Sequence, residues 1–197
     1  MIVEGLRSHG RFLGLLVAIG LWAGCGGSGS SQTGSGNAFA FLTVDSVNPT
    51  SATSNIETDV STAVCVTLRN NQKNPTVTQP TGLDDVQISS YTVSFRRFDN
   101  GTPPGPFTFN TAIRVPAGTV ANGATTGNTV NAIVVLVPVS AKHEPPLRNP
   151  VPRLPLSTQA DVVFKGHDGR GQTLSTQASL SVAFVSSETA EVPPATC

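Results

Sequence analysis

The stretch that decides the fold is Ala160-Asp161-Val162-Val163-Phe164-Lys165-Gly166-His167-Asp168-Gly169-Arg170-Gly171-Gln172-Thr173-Leu174-Ser175-Thr176-Gln177-Ala178-Ser179-Leu180-Ser181-Val182-Ala183-Phe184. Ala160, Val162 and Phe164 fall on every second residue before the Gly-rich centre, and Leu180, Val182 and Phe184 do so after it. Period-two spacing places each set on one face of a strand. The centre, Gly166-His167-Asp168-Gly169-Arg170-Gly171, supplies the positive-φ residues of a chain reversal, so the whole reads as an antiparallel hairpin.

The same alternation runs back along the chain. Phe39-Ala40-Phe41-Leu42-Thr43-Val44 is one such segment, ended by Asn48-Pro49, and Val60 to Leu68 is the next. Val86 and Ile88 lie in one phase and Tyr91, Val93 and Phe95 in the other, so Ser89-Ser90 marks a bulge or a break. Phe107-Thr108-Phe109 and Ile113-Arg114-Val115 follow as a strand pair or one bent strand. Val130 to Val139 is the most apolar run, with Ile133 to Val137 consecutive, which predicts a central strand covered on both sides. Seven or eight strands over about 150 residues predict an all-β domain, an antiparallel β-sandwich spanning residues 38–190. Between Lys142 and Leu156 stand Pro145, Pro146, Pro150, Pro152 and Pro155, which remove donors and fix φ. That segment is expected to be an extended strap whose Leu and Val side chains cover an open end of the core. Pro152 and Pro155 also have the spacing of a partner-docking strip.

Composition narrows the partners. The chain has 197 residues, with 12 Lys and Arg against 12 Asp and Glu, so it lacks the basic surplus that binds phosphate backbones, and no nucleic-acid partner is expected. At the N-terminus a short basic segment with Arg7 and Arg11 precedes an apolar run from Phe12 to Ala23. Such a run is too short for a bilayer-spanning helix, which needs roughly twenty residues, and matches the apolar part of an export signal. Removing residues 1–24 leaves 10 basic and 11 acidic residues, a faintly acidic mature chain. Residues 25–37 are almost wholly Gly, Ser, Thr and Gln, the composition of a flexible tether. Residues 191–197 form a C-terminal tail.

Two resemblances add to this reading. Leu21-Trp22-Ala23-Gly24-Cys25 resembles the lipobox of bacterial lipoproteins, with Trp22 standing where that family has an aliphatic residue. The resemblance implies cleavage before Cys25, acylation of its thiol and attachment to a membrane; Gly26, which is not Asp, implies the outer membrane in a diderm cell, and otherwise the outer face of the cell membrane. The closing pattern, an alternating strand, Gly-x-Asp-Gly-x-Gly and a second alternating strand over residues 157–186, resembles the final hairpin of bacterial immunoglobulin-like and fibronectin type III-like domains. An inter-sheet cysteine pair and a core tryptophan of the kind seen in immunoglobulin domains are missing.

With Cys25 acylated, Cys65 and Cys197 remain. Val64, Val66 and Leu68 share one strand face and Cys65 lies on the other, directed away from the core, where a tail ending in Cys197 can reach it. A Cys65–Cys197 disulfide suits an oxidising compartment; the alternatives are two free thiols or a bridge to another molecule. His143 and His167 stand in no metal-ligand spacing, and neither a nucleophile elbow nor a phosphate-binding loop occurs. Asp168, with Asp161 or Asp99, is the candidate oxygen set for calcium, although an Asp-Gly pair at a turn serves backbone geometry as well. Arg96, Arg97, Phe98 and Tyr91 are the candidates for stacking on a sugar. No catalytic residue, metal or cofactor is expected. The functional expectation is therefore a non-catalytic, lipid-anchored envelope protein that presents its domain to another envelope protein or a surface polymer. A carbohydrate-binding or adhesion module is the alternative, and an anchored hydrolase built on His143 or His167 the third.

Overall fold

A computed structural model describes residues 32–34, 38–73, 81–121, 124–148, 154–186 and Cys197. Eleven strands are present among them. They are β1 (Gln32–Gly34), β2 (Ala40–Asn48), β3 (Ser51–Asn55), β4 (Thr62–Gln72), β5 (Val86–Arg97), β6 (Phe107–Val115), β7 (Thr119–Ala121), β8 (Ala124–Thr126), β9 (Asn128–Val137), β10 (Leu156–Asp168) and β11 (Thr173–Val185). One sheet has the order β1-β11-β10-β5-β6, with β3 also on β11; a second has the order β2-β4-β9, and β7 pairs with β8. The described chain is all-β except for a single 3-10 turn and one helical turn, α1 (Val139–Lys142).

The hairpin is as expected: β10 and β11 pair antiparallel from Leu156 opposite Phe184 to His167 opposite Thr173. All six of its alternating apolar residues are buried. The seven segments read from alternation correspond to the seven longest strands. Missed were β1, β3, β7 and β8, each three to five residues long. β3, Ser-Ala-Thr-Ser-Asn, has one apolar side chain and so no pattern to read. It also breaks the expected antiparallel rule, because it lies parallel to β11, Ser51 opposite Ser181 through Asn55 opposite Val185.

The break at Ser89-Ser90 is a bulge inside one continuous strand. The register shifts there against both neighbours, and Val86, Ile88, Tyr91, Val93 and Phe95 all turn to the core. Gly166 sits opposite the bulge, where a Cβ would meet the Gln87 carbonyl oxygen at 2.3 Å.

Three expectations are corrected. The apolar run of β9 is an edge strand, since β4 is the centre of a three-stranded sheet; Val134 and Leu136 enter the core, whereas Ile133 is 58% exposed. The segment after β9 is not extended at its start: α1 is followed by turns through residue 148, held by Leu147 and Arg148 amides donating to the Glu144 carbonyl. Residues 149–153 lie outside the described residues, but Leu147 and Leu156 are buried and Leu154 packs on the core, as a cover for that end requires. The tether reading fails at residues 32–34, which pair as β1 with Thr176 to Leu174 of β11. The rest of segments 1–37 and most of the tail lie outside the described residues.

The inward faces of both sheets form one apolar cluster. Tyr91 stacks on Phe109 with ring centroids 5.0 Å apart and lies 5.8 Å from Phe164, while Phe95 bridges Phe107 and Phe184. The Tyr91 hydroxyl crosses to the other sheet and accepts a hydrogen bond from the Val135 amide at 3.1 Å. Burial raises the Tyr91 pKa above its ordinary value. Lys142, wholly buried, donates from Nζ to Thr58 Oγ1 and the Val60 carbonyl, which fastens α1 to the turn after β3.

Tyr91→Phe keeps the ring packing and leaves the Val135 amide without that acceptor. Urea unfolding is expected to show a loss of about 1–3 kcal/mol.

Candidate functional site

Among the described residues a polar cluster lies where the β10–β11 turn meets the segments flanking β5 and β6. It begins with Thr81-Gly82-Leu83-Asp84, a capping box. Thr81 Oγ1 accepts from the Leu83 amide, and the Thr81 amide donates to Asp84 Oδ2 at 2.9 Å, so the turn closes on itself. Asp84 is buried, and its Oδ1 accepts from Arg170 at 3.2 Å. The Arg170 guanidinium in turn lies 3.7 Å over the Phe39 ring, a cation–π contact. From β4, buried Asn70 donates to the carbonyls of Asp84 and Val115.

Asp85 ties three segments together. Its Oδ2 accepts from the Arg114 guanidinium, its Oδ1 from the Ala117 amide at 2.8 Å, and its carbonyl from the Gly169 amide at 3.1 Å. Asp168, 1% exposed, accepts at Oδ1 from the Arg170 and Gln172 amides. Gly171 follows with φ of 79°, a conformation that favours glycine. Asp85, Gln87, Arg114, His167 and Asp168, with Gly82 and Gly169, line a small cleft of about 200 Å³.

Chemically, the cluster fastens loops. Asp84 and Asp85 are each paired with an arginine, and one oxygen of Asp168 holds turn amides. His167 Nδ1 meets the Asp168 carbonyl at 3.0 Å and not a carboxylate. The other candidate histidine does meet one: His143 Nε2 is 2.8 Å from Asp59 Oδ1. Its Nδ1 faces the Arg148 guanidinium, a pure donor, at 3.4 Å. Both ring nitrogens are thus engaged and neither meets a hydroxyl, so the carboxylate–imidazole–hydroxyl relay of a hydrolase is not assembled on His143.

The three carboxylates considered for calcium do not converge. Asp168 is opposite Val86 at one end of β5, whereas Asp99 follows Arg97 at the other. Asp161, midway, accepts from the Ser179 hydroxyl and lies 3.9 Å from Arg96. No group of three metal-ligating side chains occurs among the described residues. The sugar-stacking set disperses too. Tyr91 is in the core, Arg96 donates to Gln159, and Arg97 is held by Asp99 and the Thr102 carbonyl. Among the described residues Phe98, 67% exposed, has no second exposed ring beside it, because Phe39 is at the opposite end under Arg170.

Cys65 and Cys197 form a disulfide, with Cα atoms 5.4 Å apart. Cys65 lies on the outer side of β4, outside the apolar cluster, between Asn48 and Ile133 of the flanking strands. Cys25 and its lipobox lie outside the described residues. Sequence reading missed the Asp85 junction, which no motif marks, and the capping box, whose Thr-x-x-Asp spacing was there to be read. Compared with protein-family models, with curated proteins and with solved structures, the chain matches none.

Two measurements test these assignments. The Arg97 hydrogen bond, reinforced by the Gly101 amide, lowers the Asp99 carboxyl to about 2. A carboxyl lowered on folding adds stability above its unfolded value, lost as pH falls toward 2. NMR titration of Asp99 is expected to move up toward the ordinary 3.8 in Arg97→Gln. Cys197→Ser opens a bridge of 132 residues, and its unfolding free energy is expected to fall by about 2–5 kcal/mol.

Proposed function

We propose that the chain is an exported, non-catalytic lipoprotein. It is held by acylated Cys25 and presents an immunoglobulin-like β-sandwich to another envelope protein or a surface polymer. The lipobox residues Ala23-Gly24-Cys25 and the short apolar run before them motivate the anchor. The observation that carries the reading is the Cys65–Cys197 disulfide, a bond that persists in exported proteins and is rare in reducing cytoplasm. Two sheets sharing one core, built mostly from antiparallel pairs, support the sandwich; the parallel β3 departs from that pattern. Attachment to the outer membrane follows from Gly26 if the cell is diderm.

The binding role is supported by how the polar groups are used. At the cluster described above Asp84, Asp85 and one oxygen of Asp168 hold loop segments, which makes a rigid platform. Adhesion through a sugar-stacking platform draws less support, since the exposed rings of Phe39 and Phe98 stand at opposite ends.

Pairing of β1 shortens the tether. Only residues 26–31 lie between Cys25 and β1, a span of at most about 24 Å when fully extended. On this reading the domain rests close to the bilayer.

Metabolic labelling with a clickable fatty acid in a lipoprotein-competent bacterium is expected to mark the wild-type chain in the membrane fraction. Cys25→Ser is expected to lose the label. A mature wild-type chain that is soluble and unlabelled overturns the proposal.

A further inference from the structure

The two ends of the sheets differ in how their ion pairs face. One end holds the β10–β11 turn and, joined to it through Arg170 and Asp84, the Thr81–Asp84 turn. The other holds the β5–β6 loop and α1, where Pro104 to Phe107 and Ala141 line one cleft. Exposed apolar side chains do not separate the ends, since Phe39 and Leu83 stand at the first and Phe98 and Val60 at the second. The ion pairs do. At the first end Asp84 is buried while Arg170 is exposed, and the Asp85 side chain is 14% exposed against 68% for Arg114. At the second end the order reverses: the Arg97 side chain is 12% exposed against 55% for Asp99, and Asp59, paired with His143, is exposed. In these pairs solvent meets guanidinium groups at the first end and carboxylates at the second.

We propose that the first end docks on a lipid surface. Phe39 and Leu83 enter the headgroup region, Arg114 and Arg170 meet lipid phosphates, and the end carrying Asp99 and Asp59 points away from the membrane. The docking residues are contiguous. Arg170 lies 3.7 Å over the Phe39 ring and bonds Asp84, and the Gly169 backbone is so near Leu83 that a Cβ on Gly169 would stand 2.6 Å from the Leu83 Cα. Aromatic and aliphatic side chains set among exposed cations settle at the membrane–water interface, the apolar part toward the acyl chains and the charge beside the phosphates. A membrane surface is negative, so it draws the guanidinium end and repels the carboxylate end.

The register of β1 selects the same end on separate grounds. Gln32 is opposite Thr176, three residues from Thr173, where β11 begins beside the turn, and nine from Val185, where it ends. At about 3.3 Å per residue these separations are about 10 Å and about 30 Å. The chain from Cys25 to Gln32 spans at most about 24 Å, so an anchored Cys25 reaches past the first end and falls short of the second. This second argument rests on the anchored reading; the facing of the ion pairs and the exposed Phe39 and Leu83 do not.

Removal of residues 1–24 takes away Trp22, the chain's one tryptophan, so an introduced indole reports its own surroundings. Full-length Leu83→Trp and Phe98→Trp, both at exposed positions, are expressed in a lipoprotein-competent bacterium with the fatty-acid label and reconstituted into vesicles of brominated phosphatidylcholine and phosphatidylglycerol. Both are expected to keep the β circular-dichroism spectrum. The labelled Leu83→Trp chain is expected to lose most of its emission to bromine quenching, and the labelled Phe98→Trp chain to keep it. In vesicles of brominated phosphatidylcholine alone the Leu83→Trp quenching is expected to weaken; equal quenching there overturns the part given to the arginines. A labelled Leu83→Trp chain quenched no more than Phe98→Trp overturns the docking and leaves the anchor intact. A Leu83→Trp chain that carries no label yet is quenched beyond the unsubstituted chain overturns the anchor and leaves the docking, and one neither labelled nor quenched overturns both.

Discussion

Strand β5 passes from Ile88 to Tyr91 in three residues, where its neighbour β10 uses two and its neighbour β6 uses four. Side chains on a strand alternate, so an odd step is the only way to bring both halves of β5 to the same face. The step turns Val86 and Ile88 inward with Tyr91, Val93 and Phe95, and through Tyr91 and Phe95 it places the aromatic rings that fill the centre of the core. It also explains Gly166. The β10 backbone passes so close to Gln87 at the bulge that no side chain fits, and the strand continues to Asp168 in unbroken alternation.

The position of that bulge determines what happens at each end of the sheet. Toward the β10–β11 turn, β5 begins directly after Asp84 and Asp85, and β10 ends at Asp168. The three carboxylates are therefore brought to one end, where Asp85 and Asp168 line the same small cleft. Asp84 is met by Arg170 and Asp85 by Arg114 and the Ala117 amide, whereas Asp168 gives Oδ1 to its own turn and its buried Oδ2 meets no partner among the described residues. At the other end β5 runs out at Arg97, whose guanidinium is consumed by Asp99 and a loop carbonyl. In a chain with 12% charged residues, so much pairing near loop bases leaves few charges for recognition. Surface ion pairs contribute little to stability by themselves, but those that also hold backbone amides fix loop conformation.

Legibility in the sequence followed the strength of the alternation. Ala160, Val162, Phe164, Leu180, Val182 and Phe184 gave their hairpin because each strand has an unbroken period of two and a glycine-rich reversal between them. The role of β9 was misread because Ile133 to Val137 are apolar without interruption. Hydrophobicity alone does not distinguish a buried centre from an edge in a sheet of only three strands. β3 was invisible for the opposite reason: Ser51 to Asn55 owe their conformation to β11 alongside them, a tertiary cause with no local pattern. Of the candidate sites, the Cys65–Cys197 pair was legible because strand phase put Cys65 on the outer face. Lys142 was not, since nothing around it in sequence announces burial against the Val60 carbonyl, 82 residues away.

Both ends of the described chain are fastened to the sheets, one at an edge and the other on an outer face. β1 lies along β11, and Cys197 is bonded to the middle strand of the other sheet. Terminal segments fray first when nothing holds them. Here one is held by a ladder and the other by a covalent bond that depends on an oxidising surrounding. The two fastenings differ in consequence. A three-residue ladder opens and closes on its own, whereas the disulfide removes conformations from the unfolded chain and is lost only by chemistry. A chain that folds where thiols oxidise gains the second restraint there. A surrounding that keeps thiols reduced would deny Cys65 its partner and release the C-terminal end from β4.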